Sequence, residues 1–100
     1  MQGNASVATD VLASYAADAA LEVEGVARLV EGRLPRNGGV RVSSDEGTSL
    51  ELHLALEWGA PAEQVGAEVQ RRVADYLERM VGTRPRAVDV VVDEIVAPAQ

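Results

Sequence analysis

The chain has no cysteine, no phenylalanine and no lysine. Without cysteine there can be no disulfide, no thiolate metal centre and no cysteine nucleophile, and the usage fits a reducing compartment. Without phenylalanine, and with only one Trp and two Tyr, the core has to be built from closely packed Val, Leu and Ala. All nine basic residues are Arg, set against 16 Asp and Glu, for a formal net charge of −7. That excess repels phosphate backbones, and no dense Arg cluster with interleaved aromatics offsets it, so nucleic-acid binding is disfavoured. No apolar run approaches the ~18 residues needed to cross a bilayer, and the start lacks a basic-then-apolar signal pattern. A soluble, cytoplasmic protein with no membrane span is expected. No repeat, linker or low-complexity tract divides the 100 residues, 47% of them hydrophobic, which leaves room for one core and one domain. Residues 7–96 are expected to form it, with flexible ends at 1–6 and 97–100.

What is present is organised around Leu50 to Gly82. Leu50, Leu52, Leu54, Leu56 and Trp58 alternate with Glu51, His53, Ala55 and Glu57, the pattern of a strand with one buried face. After Gly59 the period lengthens. Val65, Val69, Val73, Tyr76, Leu77 and Met80 recur at three and four residues and mark an amphipathic helix, bracketed by Pro61 and Gly82. Upstream, Val11, Leu12, Tyr15, Ala16, Ala19, Ala20 and Val23 predict a helix from about Thr9 to Glu24, with Thr9 or Ser6 as cap, Asp10 at its positive end and Gly25 as a left-handed terminator. Its small alanine face predicts close packing on a sheet. Val26–Val30 is a short strand candidate. Val40 and Val42 form another, joined to the Leu50 strand by a turn at Asp45-Glu46-Gly47-Thr48. Val88, Val90, Val92 and Ile95 give the last strand, with the crossover helix making it parallel to the Leu50 strand. The expected fold is α+β, a two-layer sandwich of order α-β-β-β-α-β, with both helices on one face of a small mixed sheet. Leu52, Leu54, Leu56, Val69, Val73, Leu77, Val90 and Val92 are expected to share its core.

The chemistry-bearing residues are sparse. Glu51 and His53 project in parallel from one strand face, but Glu57 lies roughly 13 Å along it, so three metal ligands do not converge. Asp89, Asp93 and Glu94 sit on an open strand with no visible cause for a raised pKa. Ser43, His53 and Asp89 can be assembled into a triad on paper, without a strained turn to mark the serine. No glycine pattern cradles phosphate, and at Gly59-Ala60-Pro61 the proline lacks an N–H while Glu63 repels an anion. Glu68 with Arg72 and Asp75 with Arg79 read as surface pairs on the long helix. A solvated polar surface is the plainer account of each, and no cofactor or metal is expected.

The order and spacing of the short motifs carry a resemblance. Ala16-Ala19-Ala20, Glu22-Val23 and Gly25-Val26, a strand ending in Trp58-Gly59, then Val65, Val69-Gln70, Val73 and Met80-Val81-Gly82, then Val88-Asp89-Val90, Val92 and Ile95, together resemble the alkaline shock protein family of bacterial envelope-stress proteins. The likeness covers about residues 7 to 96. It departs from the family at Trp58, where Tyr is usual, and at Val81-Gly82, where Thr-Gly is frequent. The resemblance implies a small protein without established enzymatic activity, linked to envelope homeostasis, self-assembling or held at the membrane by an integral-membrane partner; it brings no catalytic or ligand residues. The expected function is accordingly a non-enzymatic interaction or scaffold protein, acidic and oligomeric. The alternative is a small accessory or ligand-binding domain serving a lipid or phosphoryl-transfer enzyme. The partner surface is expected on the open sheet face, at Glu51, His53, Glu57, Asp89 and Asp93 beside Arg41, with Ala55 and Val91 as its small apolar centre.

Overall fold

The structure, a computed structural model, describes residues 2–31 and 38–97, with side chains described from Thr9 onward. Its elements follow the expected order: α1 (Gln2–Leu21), β1 (Val26–Leu29), β2 (Val40–Ser43), β3 (Ser49–Glu57), α2 (Ala62–Val81) and β4 (Ala87–Val96). β3 is the spine. It pairs in parallel with β4 along its whole length, and antiparallel with both β1 and β2.

β1 and β2 share one edge of β3, end to end. Leu29 lies opposite Leu54 and Val40 opposite Leu52, and His53 faces the gap between them. Its carbonyl accepts from the Val30 N–H at 2.8 Å and its N–H donates to the Gly39 carbonyl at 3.0 Å. The two short strands are therefore one edge strand that the chain leaves after Val30 and rejoins at Gly39. The rejoining is tight: a Cβ on Gly39 would sit 2.9 Å from the Val30 carbonyl oxygen, at a φ of +88° that other residues resist.

Both helices cover the same face. Leu50, Leu52, Leu54 and Leu56 of β3 meet Ala13, Ala16, Ala19 and Ala20 of α1 and Val65, Val69, Val73 and Leu77 of α2 in one cluster. The alanines let α1 approach closely, as their size requires, and each buried Leu contributes about 1.5–3 kcal/mol. The helices also touch each other, with Tyr15 and Tyr76 edge to face at 5.6 Å between ring centroids. α2 stops as its sequence demands, with the N–H of Gly82, its left-handed cap, bonded back to Glu78.

Several expectations need correction. α1 begins at Gln2, so the helix includes most of the stretch expected to be a flexible leader, and Thr9 and Asp10 lie inside it instead of capping it. It ends at Leu21; Gly25, four residues later, adopts φ +100° in the link to β1, where a Cβ would meet a Val65 methyl at 2.9 Å. Val11 is exposed where a buried position was expected, and so is Met80 near the end of α2. Trp58 is not in the core: β3 ends at Glu57, the chain turns, and the indole is 69% exposed. Val92 is 38% exposed; the α2 residues that line the groove beside it include Ala62, Gly66 and Ala67, too short to cover it. Arg79 lies over the Tyr76 ring, 5.8 Å from its centroid. Of the expected flexible tail, residues 98–100 lie outside the described residues, as does Met1 at the other end.

Candidate functional site

The sheet face away from the helices is laid out in rows fixed by register. At one end Arg41, Glu51 and Asp89 stand side by side across three strands. His53 and Val91 form the next row. Beyond them come Arg28, Ala55 and Glu94, and finally Glu57 beside Val96.

The third row exists because both flanking strands bulge beside Ala55, β1 on its Leu56 side and β4 on its Leu54 side. β1 slips between Val26 and Arg28, and β4 slips at Leu54/Ala55 so that Asp93 is the extra residue. A one-residue slip reverses the faces of everything beyond it. Glu94 thereby joins the open face and Ile95 the other. Arg28 and Glu94, on opposite sides of Ala55, form an ion pair across it, and Ala55 is fully buried beneath them. The apolar centre expected at Ala55 is thus roofed by charge, leaving Val91, 36% exposed.

His53 is mostly buried, with 12% of its side chain exposed, and held from both sides. Nε2 lies 2.5 Å from a Glu51 oxygen and Nδ1 lies 2.8 Å from a bulge oxygen of Asp93. The two carboxylates thus face opposite nitrogens of one ring. Because they take different nitrogens, the three groups diverge from any single point. Among the described residues no three His, Cys, Asp or Glu side chains are placed to hold a metal ion. The paper triad does not assemble either: His53 meets Glu51 and Asp93, while Ser43 sits at the far end opposite Ser49.

Of the expected surface residues, the fold therefore brings Glu51, His53 and Asp93 into contact, sets Asp89 beside Glu51, and leaves Glu57 apart. Sequence reasoning missed Arg28, and weighed Glu94 only as an acid of the last strand without its place opposite Arg28, which depends on the bulges. It also missed a cleft of about 560 Å³ where the end of β3 meets the starts of β1 and α2, lined by Trp58, Glu24, Glu57, Gln64, Glu68 and Arg72 among others. At its wall, Arg71 grips both oxygens of Glu68 at 2.7 and 2.6 Å and the Arg72 Nε adds a bond at 2.9 Å. The hydrogen bonds from Arg71 first, then Arg72, hold the Glu68 carboxyl below the usual carboxylate range, and the same contact raises Arg71.

Comparison with known proteins adds three findings. The sequence profile of a family with a cell envelope-related function matches residues 1–97. No curated protein matches the chain in sequence. Among solved structures the fold is similar to variants of MamM CTD: a manganese form (15% identity, TM-score 0.54, 85% of this chain and 96% of that one), a zinc form (14%, 0.55, 91% and 87%) and a cadmium form (15%, 0.56, 85% and 94%). At such identity the likeness is one of fold alone.

Proposed function

Because the chain belongs to the alkaline shock protein family, we propose that it is a non-enzymatic interaction protein of cell-envelope homeostasis, cytoplasmic, docking to copies of itself or to a membrane-anchored partner. No described helix is long and apolar enough to cross a membrane, and in this reading attachment to the envelope runs through such a partner. One observation carries the reading. The helices occupy a single face of the sheet, and the uncovered face presents Glu51, Asp89, Asp93 and Glu57 against Arg41, with the Arg28–Glu94 pair already neutralised. A negative potential of this kind steers a basic surface into place and fixes its register.

The test is charge reversal away from His53. Asp89→Arg with Glu57→Arg is expected to weaken self-association or capture by a crosslinked membrane partner. The cause would be slower association at low salt, with thermal stability nearly unchanged. Undiminished assembly in that variant, with loss instead on reversing Arg72 and Arg79, overturns it and moves docking to the helices.

The Trp58 cleft favours a second reading, an accessory domain that holds a small ligand for a lipid or phosphoryl-transfer enzyme. A saturable change in Trp58 emission on adding a short-chain phospholipid or inorganic phosphate would support it. The fold neighbours are named in manganese, zinc and cadmium forms, so metal content is worth measuring directly. Tag-free protein is expected to carry no stoichiometric metal; about one equivalent of zinc that vanishes in His53→Ala would reverse that expectation.

A further inference from the structure

β4 is an outer strand. Among the described residues it pairs only with β3, so no strand covers its other edge, from Ala87 to Val96. Open edges invite another strand, and proteins guard them with charge. Here the guard is of one sign: the strand carries Asp89, Asp93 and Glu94 and no basic residue. Pairing with a second copy is penalised in the registers that set these acids opposite one another. An antiparallel two-fold centred on Val91 sets Asp89 against Asp93 across the interface, and one centred between Val91 and Val92 sets Asp89 against Glu94. Like charges directly opposite are destabilising. A basic strand meets no such obstacle.

Beside the edge runs a shallow groove of about 260 Å³ between α2 and β4, lined by Ala62, Glu63, Gly66, Ala67, Gln70, Val90 and Val92. The helix side is low where Ala62, Gly66 and Ala67 line it, beside the longer Glu63 and Gln70. A Cβ at Gly66 would only just touch a Val90 methyl, at 4.0 Å. The strand side is apolar, formed by Val90 and Val92, the latter 38% exposed, and farther along β4 Ile95 is 51% exposed. Gln70 already donates its amide to the Val88 carbonyl at 2.8 Å, so a main-chain acceptor of this strand takes a donor from outside the sheet.

We propose that β4 receives an extended basic segment of a partner protein as an added strand. Alternate side chains of the segment would be apolar and enter the α2–β4 groove. The residues between them would be Arg or Lys and lie beside Asp89 and Asp93 on the open face. The alternation follows from the two-residue period of a strand, with main-chain bonds giving affinity and the groove and acids giving selectivity. The proposal rests on the interaction-protein reading and deepens it by naming the partner's chemistry.

The test uses the full chain and a short acetylated, amidated peptide alternating Val and Arg. The controls are a Val–Glu peptide and a Val–Arg peptide N-methylated at alternate residues. Amide NMR titration is expected to place the shifts on β4 and on Gly66, Ala67 and Gln70, with saturable binding. Both control peptides are expected to bind at least about ten-fold more weakly, a difference of about 1.4 kcal/mol. Gly66→Leu fills the groove at a helical position where a side chain raises helix propensity, so it should fold normally and weaken the Val–Arg peptide by a similar factor. Asp89→Asn should weaken it in a salt-dependent way. Undiminished binding of the N-methylated peptide, shifts confined to the Trp58 cleft, or no binding together with dimerisation that Gly66→Leu abolishes, would each overturn the proposal. The last outcome would make a second copy the occupant. If the peptide fails while the Asp89/Glu57 reversal still weakens assembly, this inference falls and the broader reading stands; failure of both removes both.

Discussion

Truncating Leu54 to alanine is expected to cost about 3–5 kcal/mol. Leu54 has no exposed surface and sits at the middle of β3, flanked by Leu29 on one side and Val92 on the other. Removing three carbons forfeits about 2.4 kcal/mol at about 0.8 per methylene. A strand held on both edges cannot sink into the gap, so most of the cavity penalty is added and the total reaches the upper part of the range for buried leucines. For a chain of this size, with about 5–15 kcal/mol in all, that is a large share, and the melting midpoint should fall by at least about 12 °C. Urea unfolding followed by far-UV circular dichroism is the suitable assay, since the lone Trp58 is already mostly exposed and its emission reports unfolding poorly. Val92→Ala is the internal control. It sits directly opposite on β4 but is 38% exposed, and should cost less than about 1 kcal/mol. A Leu54→Ala loss below about half a kcal/mol, or equal losses for the two, would refute the assignment of the covered face.

Gly25→Ala is expected to destabilise by about 1–3 kcal/mol, measured the same way, because Gly25 combines φ +100° with a would-be Cβ 2.9 Å from Val65. Ala16→Leu should cost a similar amount, about 1–3 kcal/mol by overpacking, since Ala16 is fully buried where α1 approaches the rest of the core. The Glu68 carboxyl is lowered by its bonds to Arg71 and then Arg72. A group with a lower pKa folded than unfolded lends stability above the ordinary carboxylate range and loses it as pH falls through the lowered value. Stability of Glu68→Gln is therefore expected to decline slightly less steeply with acid. The difference should be small, because the pair is solvent-exposed.

Much of this architecture was legible because it depends on local periodicity. The leucines of β3 alternate and the valines of α2 recur at helical spacing, so each element declares its greasy face, and hiding both faces forces one layer of helices on one layer of strands. The misreadings occur where periodicity ceases to describe the backbone. Alternation assigns a face only while the chain stays extended, and Trp58 is the first residue beyond the strand. Asp93 is counted as one step of a regular strand when it is an inserted one, which moved Glu94 to the open face. Val92 has the right parity for the core but lacks cover, a fact about the size of residues on a different element. The contact of His53 with both Glu51 and Asp93 combines these effects: the first partner is two residues away on the same strand, while the second arrives through the bulge of a neighbour. At α1 the signal was weak because its buried side is alanine, and a helix built on small residues gives little contrast to mark where it starts.

The broken edge strand has a consequence for how the fold can vary. Its two halves are fixed independently, Leu29 and Val30 against Leu54 and His53, Gly39 and Val40 against His53 and Leu52. Both main-chain groups of His53 are bonded across the join, so the sheet forgoes no hydrogen bond for the detour and its registration is indifferent to how much chain lies between. Each half of this edge is thus anchored to the spine on its own terms, so a substitution that loosens the Leu29 side need not release the Val40 side.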